Sequence, residues 1–133
     1  MTYLLDTNAV IGLLKDTTSL LAQKARLKRP GDIGVPAIVA HELFYGAFKS
    51  QQAPRNVALI DQLLFEILDF DKDDARHSGE VRAFLARKGT PIGPYDVLIA
   101  GQARARDLIL VTHNTGEFRR VPGLRIEDWE ARR

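Results

Sequence analysis

Three acidic side chains stand where a chain that alternates strands with helices can bring chemistry together: Asp6, Glu42 and Asp96. Asp6 directly follows the apolar run Tyr3-Leu4-Leu5. Glu42 lies inside the helix expected after a second short strand. Asp96 sits in the first turn of a helix opened by Gly93-Pro94. Each has an ordinary structural alternative. Asp6 is a good helix cap, Asp96 complements a helix dipole, and Glu42 fits a solvated polar face with His41 and Lys49. Taken together they imply more. Three carboxylates that share a pocket stay ionised only if cations compensate them. Oxygen donors without Cys or clustered His favour Mg²⁺, with Mn²⁺ as a substitute, over Zn²⁺. Such a centre suits phosphodiester hydrolysis by a metal-activated water, with no protein nucleophile.

Further polar groups fall near the same expected edge. Thr112-His113-Asn114 follows the apolar strand ending at Val111, and Thr7-Asn8 follows Asp6. Asn114, Thr112, Thr7 and Asn8 are candidates to orient a water, a phosphate or a metal ligand, or simply to cap turns. Glu117 is close enough in sequence to add a supporting charge.

The elements that must position these groups read as an alternating α/β pattern. Strands are expected at 3–5, 33–35, 67–70 and 108–111, with an edge strand at 124–126. Helices are expected at 9–14, 18–27, from Ala37 through Ala47, at 54–65, 71–87 and 95–106. The helix over 71–87 should turn Ala75, Val81, Phe84 and Leu85 inward, and that from Ala37 should bury Ile38, Val39, Leu43, Phe44 and Ala47. Residues 28–32, 116–118 and 121–123 read as turns, and Trp129 should pin the tail. Continuous apolar strands argue for a mostly parallel sheet covered by helices on both faces. In such sheets the functional crevice lies beyond the carboxyl ends of the strands.

The whole chain, 1–133, reads as one domain without repeats or linkers. At 45% hydrophobic and 27% charged residues it can build a core and need not be disordered. No apolar run approaches the roughly 18 residues of a membrane span. No basic leader precedes Tyr3, and there is no cysteine, so a cytoplasmic protein is expected and disulfide or thiolate-metal chemistry is excluded. The net charge of +2 is mild. Basic residues cluster at Lys24, Arg26, Lys28 and Arg29, at Arg104 and Arg106, at Arg119 and Arg120, and at Arg132 and Arg133. These clusters fit either ordinary solvated faces or a nucleic-acid surface.

Four segments in order make the chain resemble the PIN-domain ribonucleases and, within them, the VapC toxins. They are Leu4-Leu5-Asp6-Thr7-Asn8, His41-Glu42-Leu43-Phe44-Tyr45-Gly46-Ala47, Pro91-Ile92-Gly93-Pro94-Tyr95-Asp96, and Val111-Thr112-His113-Asn114-Thr115-Gly116-Glu117-Phe118. The resemblance implies a three-layer fold on a short parallel sheet and metal ligation by Asp6, Glu42 and Asp96. Glu42 owes its place in the set chiefly to this resemblance. Many members carry a further acid in the turn where this chain has Asn114, which suggests a centre one carboxylate short. The resemblance also implies a VapB-type antitoxin whose C-terminal segment enters the acidic groove with a basic side chain, and homodimers or larger assemblies. It points to an RNA substrate, most closely the anticodon loop of initiator tRNA, whose unpaired nucleotides are accessible.

Two rivals differ in kind. One is a metal-independent ribonuclease working through His41, His77 or His113. The other is a metal-binding but non-catalytic interaction module on the same scaffold.

Overall fold

The computed structural model describes residues 1–131. The expected cluster at Arg132 and Arg133 lies outside the described residues. The sheet has five short parallel strands in the order β3-β2-β1-β4-β5, namely β1 Tyr3–Leu5, β2 Ile33–Pro36, β3 Glu66–Leu68, β4 Ile109–Val111 and β5 Ile126–Glu127. The chain builds outward from β1 to β3, then returns across the sheet to β4. The crossing leaves β1 and β4 adjacent, so their carboxyl ends form the switch point at which such sheets hold ligands.

Seven helices flank the sheet among the described residues: α1 Thr7–Lys15, α2 Leu20–Arg26, α3 Ala37–Lys49, α4 Ala53–Asp61, α5 Lys72–Arg87, α6 Pro94–Ala105 and α7 Thr115–Phe118. Leu4, Leu5, Val35, Leu110 and Val111 are shielded from water, as expected of strands covered on both faces. None of these helices is long and apolar enough to cross a membrane. Trp129 is buried with its ring edge against Tyr3, centroids 5.1 Å apart, and so pins the tail.

Several expected boundaries move. The third strand is Glu66–Leu68 and not 67–70, because pairing with Gly34, Val35 and Pro36 fixes its register. α4 stops at Asp61, not at 65, since Leu63 to Phe65 lead the chain back into that strand. The last strand is Ile126–Glu127 and not 124–126. Residues 116–118, expected as loop, belong to the one-turn helix α7.

The largest departure is on α5. Ala75 is exposed, while Asp74, Ser78, Val81 and Leu85 form the buried face. α5 packs on α6 so closely that a Cβ at Gly101 would lie 2.0 Å from Ser78 Oγ and 2.6 Å from its Cα. Small and polar side chains therefore fill this end of the seam, and hydropathy finds Val81 and Leu85 but misplaces Ala75. Arg106 fastens its end, donating to Asp74 Oδ1 and Oδ2 at 3.2 and 2.9 Å, and Gln102 Nε2 donates to Asp74 Oδ2 at 3.0 Å. Arg104 is held by Glu80 and by His77 Nδ1. The expected basic pair Arg104 and Arg106 is thus spent within the fold.

Candidate active site

Asp6 enters the crevice because β1 ends at Leu5 and α1 begins at Thr7. Its backbone N–H donates to Val111 O at 3.2 Å, which ties it to the end of β4. Its Oδ1 accepts from Ala9 N at 2.8 Å, so the carboxylate does cap α1. It also accepts from the hydroxyl of the buried Thr112. Burial nevertheless dominates and lifts the Asp6 pKa above its ordinary value, with Glu130 and Glu42 adding like-charge repulsion. An acid whose pKa stays high despite two hydrogen bonds is short of a cation.

Asp96 is presented by the start of α6. Gly93 caps that helix and Pro94 opens it. A Cβ at Gly93 would approach Asp96 Oδ2 to 3.1 Å, so that carboxylate would have to shift by a few tenths of an ångström. Burial pushes the Asp96 pKa up to about 6, assisted by the charges of Glu117, Asp6 and Glu42 and by a shared hydrogen bond with Glu117. Glu42 comes from the second turn of α3, and its Oε1 accepts from Thr7 Oγ1 at 2.9 Å. Thr7 therefore aims Glu42 toward the residue beside it, Asp6.

A fourth carboxyl group, Glu117, stands next to Asp96. The first turn of α7 delivers it. Its Oε1 accepts from Gly93 N at 2.8 Å, and its Oε2 accepts from Asn114 Nδ2. Asn114 thus holds an acid in the crevice without replacing one. The signal lies in the sequence as Asn114-Thr115-Gly116-Glu117, the spacing at which an acid three residues on turns back toward a helix start. Thr112 Oγ1 accepts from Asn114 N at 3.0 Å and shapes the same turn. Asn8 is exposed, and its side chain points to no partner within hydrogen-bond distance among the described residues.

The three histidines do not form a common pair. His41 packs edge-on against Tyr95, His77 accepts from Arg104, and His113 Nδ1 faces Asp128. Asp96 instead feels the charges of Glu117, Asp6 and Glu42, and Asp6 feels those of Glu130 and Glu42. No lysine or arginine forms a salt bridge with Asp6, Glu42, Asp96 or Glu117 among the described residues. Hard oxygen donors of uncompensated negative charge fit a divalent cation.

Comparison with known proteins identifies the family of the chain. The PIN domain model matches residues 3–124. The chain is 45% identical to the tRNA(fMet)-specific endonuclease VapC of Shigella flexneri, over 96% of its own length and 97% of that protein. It is 40% identical to ribonuclease VapC2 of Haemophilus influenzae over the same shares. The crystal structure of DNA-bound VapBC from Salmonella typhimurium superposes with a TM-score of 0.92 at 44% identity, covering 97% of this chain and 98% of that one. The Rickettsia felis VapBC2 structure, bound to a promoter fragment, gives 0.90 at 36% identity over 97% and 99%. The chain belongs to the PIN-domain family and, within it, to the VapC ribonucleases.

Proposed function

We propose that this chain is the Mg²⁺-dependent endoribonuclease toxin of a toxin–antitoxin pair, and that it cuts the anticodon loop of initiator tRNA. The observation that carries the catalytic part is the mutual repulsion of Asp96 with Glu117, Asp6 and Glu42, none of which forms a salt bridge with a Lys or Arg among the described residues, with Asp96 raised to about 6. PIN-domain nucleases depend on divalent metals. Here Asp6 and Asp96, with Glu42, are the direct ligands we assign, and Glu117 completes the acidic set. Mg²⁺ held there supplies Lewis-acid charge to a phosphoryl oxygen and makes water a nucleophile near neutral pH.

The chain's own residues set up the rest. Thr112 and the α1 backbone fix the Asp6 carboxylate, Thr7 fixes Glu42, and Gly93 N–H with Asn114 fixes Glu117. Orientation in advance lets the donor set meet the ion without reorganising. The substrate part rests on similarity to relatives that carry the name tRNA(fMet)-specific endonuclease. A single-stranded loop suits an open crevice, because its backbone can approach the acids without unwinding.

The partner we assign is a VapB-type antitoxin. A groove of about 420 Å³ between α1, α3 and α4 is lined by Ile11, Leu14, Leu43, Ala47 and Ile60 and reaches Glu42. An apolar peptide face fits this groove, and a basic side chain at its end would compensate the acids in place of the metal. The solved relatives are themselves toxin–antitoxin complexes. We also assign a homodimer as the toxin's own assembly and the cytoplasm as its location.

The deciding experiment is to induce the toxin briefly and map new RNA 5′ ends, alongside cleavage of purified tRNA in Mg²⁺ and in EDTA. One new end in the initiator tRNA loop, absent in EDTA, is expected. Scattered messenger ends would overturn the substrate, activity in EDTA would favour a histidine mechanism, and no cleavage at all would favour a binding module.

A further inference from the structure

A second group of titratable side chains borders the acidic centre and has no part in the assignment above. His113 directly follows Thr112, whose hydroxyl bonds to Asp6. Its Nδ1 lies 3.0 and 3.2 Å from the two carboxylate oxygens of Asp128 and 3.9 Å from Glu130 Oε2. Asp128 is itself fixed, being 18% exposed in its side chain and accepting from Glu130 N at 2.9 Å. The ring is therefore oriented from one side only. Every partner it has among the described residues is at Nδ1, and its side chain is 65% exposed. The opposite ring nitrogen, Nε2, is left to the solvent. Glu130 is close enough to Asp6 to repel its charge, which puts this group on the rim of the same crevice.

That rim has an electrostatic problem. RNA carries a charge on every phosphate, and the crevice and its β4–β5 border are lined with carboxylates. A backbone that approaches the acids along this border meets like charges that repel it. A carboxylate-held imidazole is the group that can bridge the two. With Nδ1 turned to Asp128, the ring presents Nε2 outward, where it can donate to a phosphate oxygen.

Resting on the ribonuclease reading, we propose that His113, oriented by Asp128, is a substrate-contacting residue whose Nε2 hydrogen-bonds an RNA phosphate next to the one that is cleaved. His41 and His77 lack this arrangement, since neither is held by a carboxylate. The role is to bind and align the strand, so its effect falls on KM before kcat.

The test compares wild type with His113→Ala and His113→Lys on a tRNA transcript in saturating Mg²⁺. His113→Ala is expected to raise KM about tenfold, the scale of one charge-assisted hydrogen bond, with kcat within about twofold. His113→Lys, which supplies an N–H donor in place of the ring, should bring KM back to within about threefold of wild type. A methylphosphonate placed at single positions should weaken wild-type binding at one site beside the cut, and at that site His113→Ala should cost nothing further. An unchanged KM in the Ala variant, or failure of Lys to rescue, overturns the proposal. So does a shift in the Mg²⁺ dependence at constant KM, which would make the ring a metal ligand. If wild type cleaves no RNA, the ribonuclease reading fails. The affinity of wild type and His113→Ala for the intact transcript, measured by fluorescence anisotropy, then still decides whether this ring contacts phosphate.

Discussion

The two ends of α6 handle buried carboxylates in opposite ways. At the carboxyl end, Asp74 from α5 is 1% exposed, yet its pKa lies below the ordinary value. Burial alone would raise it, but Arg106, the Asp71 N–H and Gln102 together outweigh that cost. At the amino end, Asp96 is less buried, yet its pKa is pushed up to about 6. The partners differ: Asp74 has a guanidinium, and Asp96 has three other acids. The positive end of the helix dipole favours negative charge at Asp96 but cannot balance a group of four. Among the described residues an arginine pairs the acid at one end of this helix and none forms a salt bridge with the acid at the other, the pattern expected if an external cation completes the second. The contrast separates a paired carboxylate from one surrounded by like charges, where burial by itself does not.

Exchanging the two behaviours should give the largest effects. Asp96→Asn removes a charge the fold tolerates poorly, and it should abolish metal-dependent cleavage, by about 10³-fold or more in kcat. The apo protein should lose no stability at neutral pH. Arg106→Met should do the reverse. It strands the Asp74 carboxylate and should cost on the order of 2–4 kcal/mol, while each molecule that remains folded keeps its activity. Cleavage rates and urea melts on the two variants check both statements. Equal losses of stability would erase the distinction between the centres.

A smaller effect follows from pH. Asp96 is raised from 3.8 to about 6, so between these values the folded chain holds a proton that the unfolded chain has released. Stability must therefore fall as pH rises through roughly 4 to 6, and level off above. The full shift corresponds to about 3 kcal/mol, and partial solvent access reduces this to about 1–2 kcal/mol. Asp6 acts in the same direction. Asp74 acts in the opposite one, but its contribution is already complete above its ordinary value and is lost only in stronger acid. Melts in EDTA should thus show a decline from pH 4 to 6, and Mg²⁺ should reverse it by binding the ionised form. A steady rise with pH in EDTA would mean that the acidic centre is compensated from within.

Much of this contrast is legible in the sequence, though unevenly. The strand before Asp6 and the Gly93-Pro94 start before Asp96 announce both positions, because apolar runs and helix openings are local signals. Glu42 is legible mainly by family resemblance, since its aim depends on Thr7, 35 residues away. Glu117 is easily undervalued because a four-residue helix is too short to show a period. Asp74 escapes for a different reason. The buried face of α5 is chosen by close approach to Gly101 and by the bond to Arg106, both long-range, so Ala75 reads as the inward residue. Patterning finds where the chain turns inward, and a paired charge can overrule it.

The smallest effect probes how well the acidic end is organised in advance. Thr7 begins α1 and donates to Glu42 Oε1 at 2.9 Å, the hydrogen bond the structure shows at this carboxylate. Thr7→Val keeps the shape and removes the donor. Because Glu42 sits among like charges, its carboxylate should then swing toward solvent in the apo state and must be drawn back when the ion binds. The expected cost is about tenfold in apparent Mg²⁺ affinity, the lower end for loss of a group that orients a ligand. Cleavage at saturating Mg²⁺ should stay within about threefold, since the donor set itself is intact. A Mg²⁺ titration of the cleavage rate reads both quantities. Thr7→Ser, which keeps the hydroxyl, should restore the affinity. If Val and Ser variants behave alike, the hydroxyl only fills space, and the acidic end of α6 is held by burial alone.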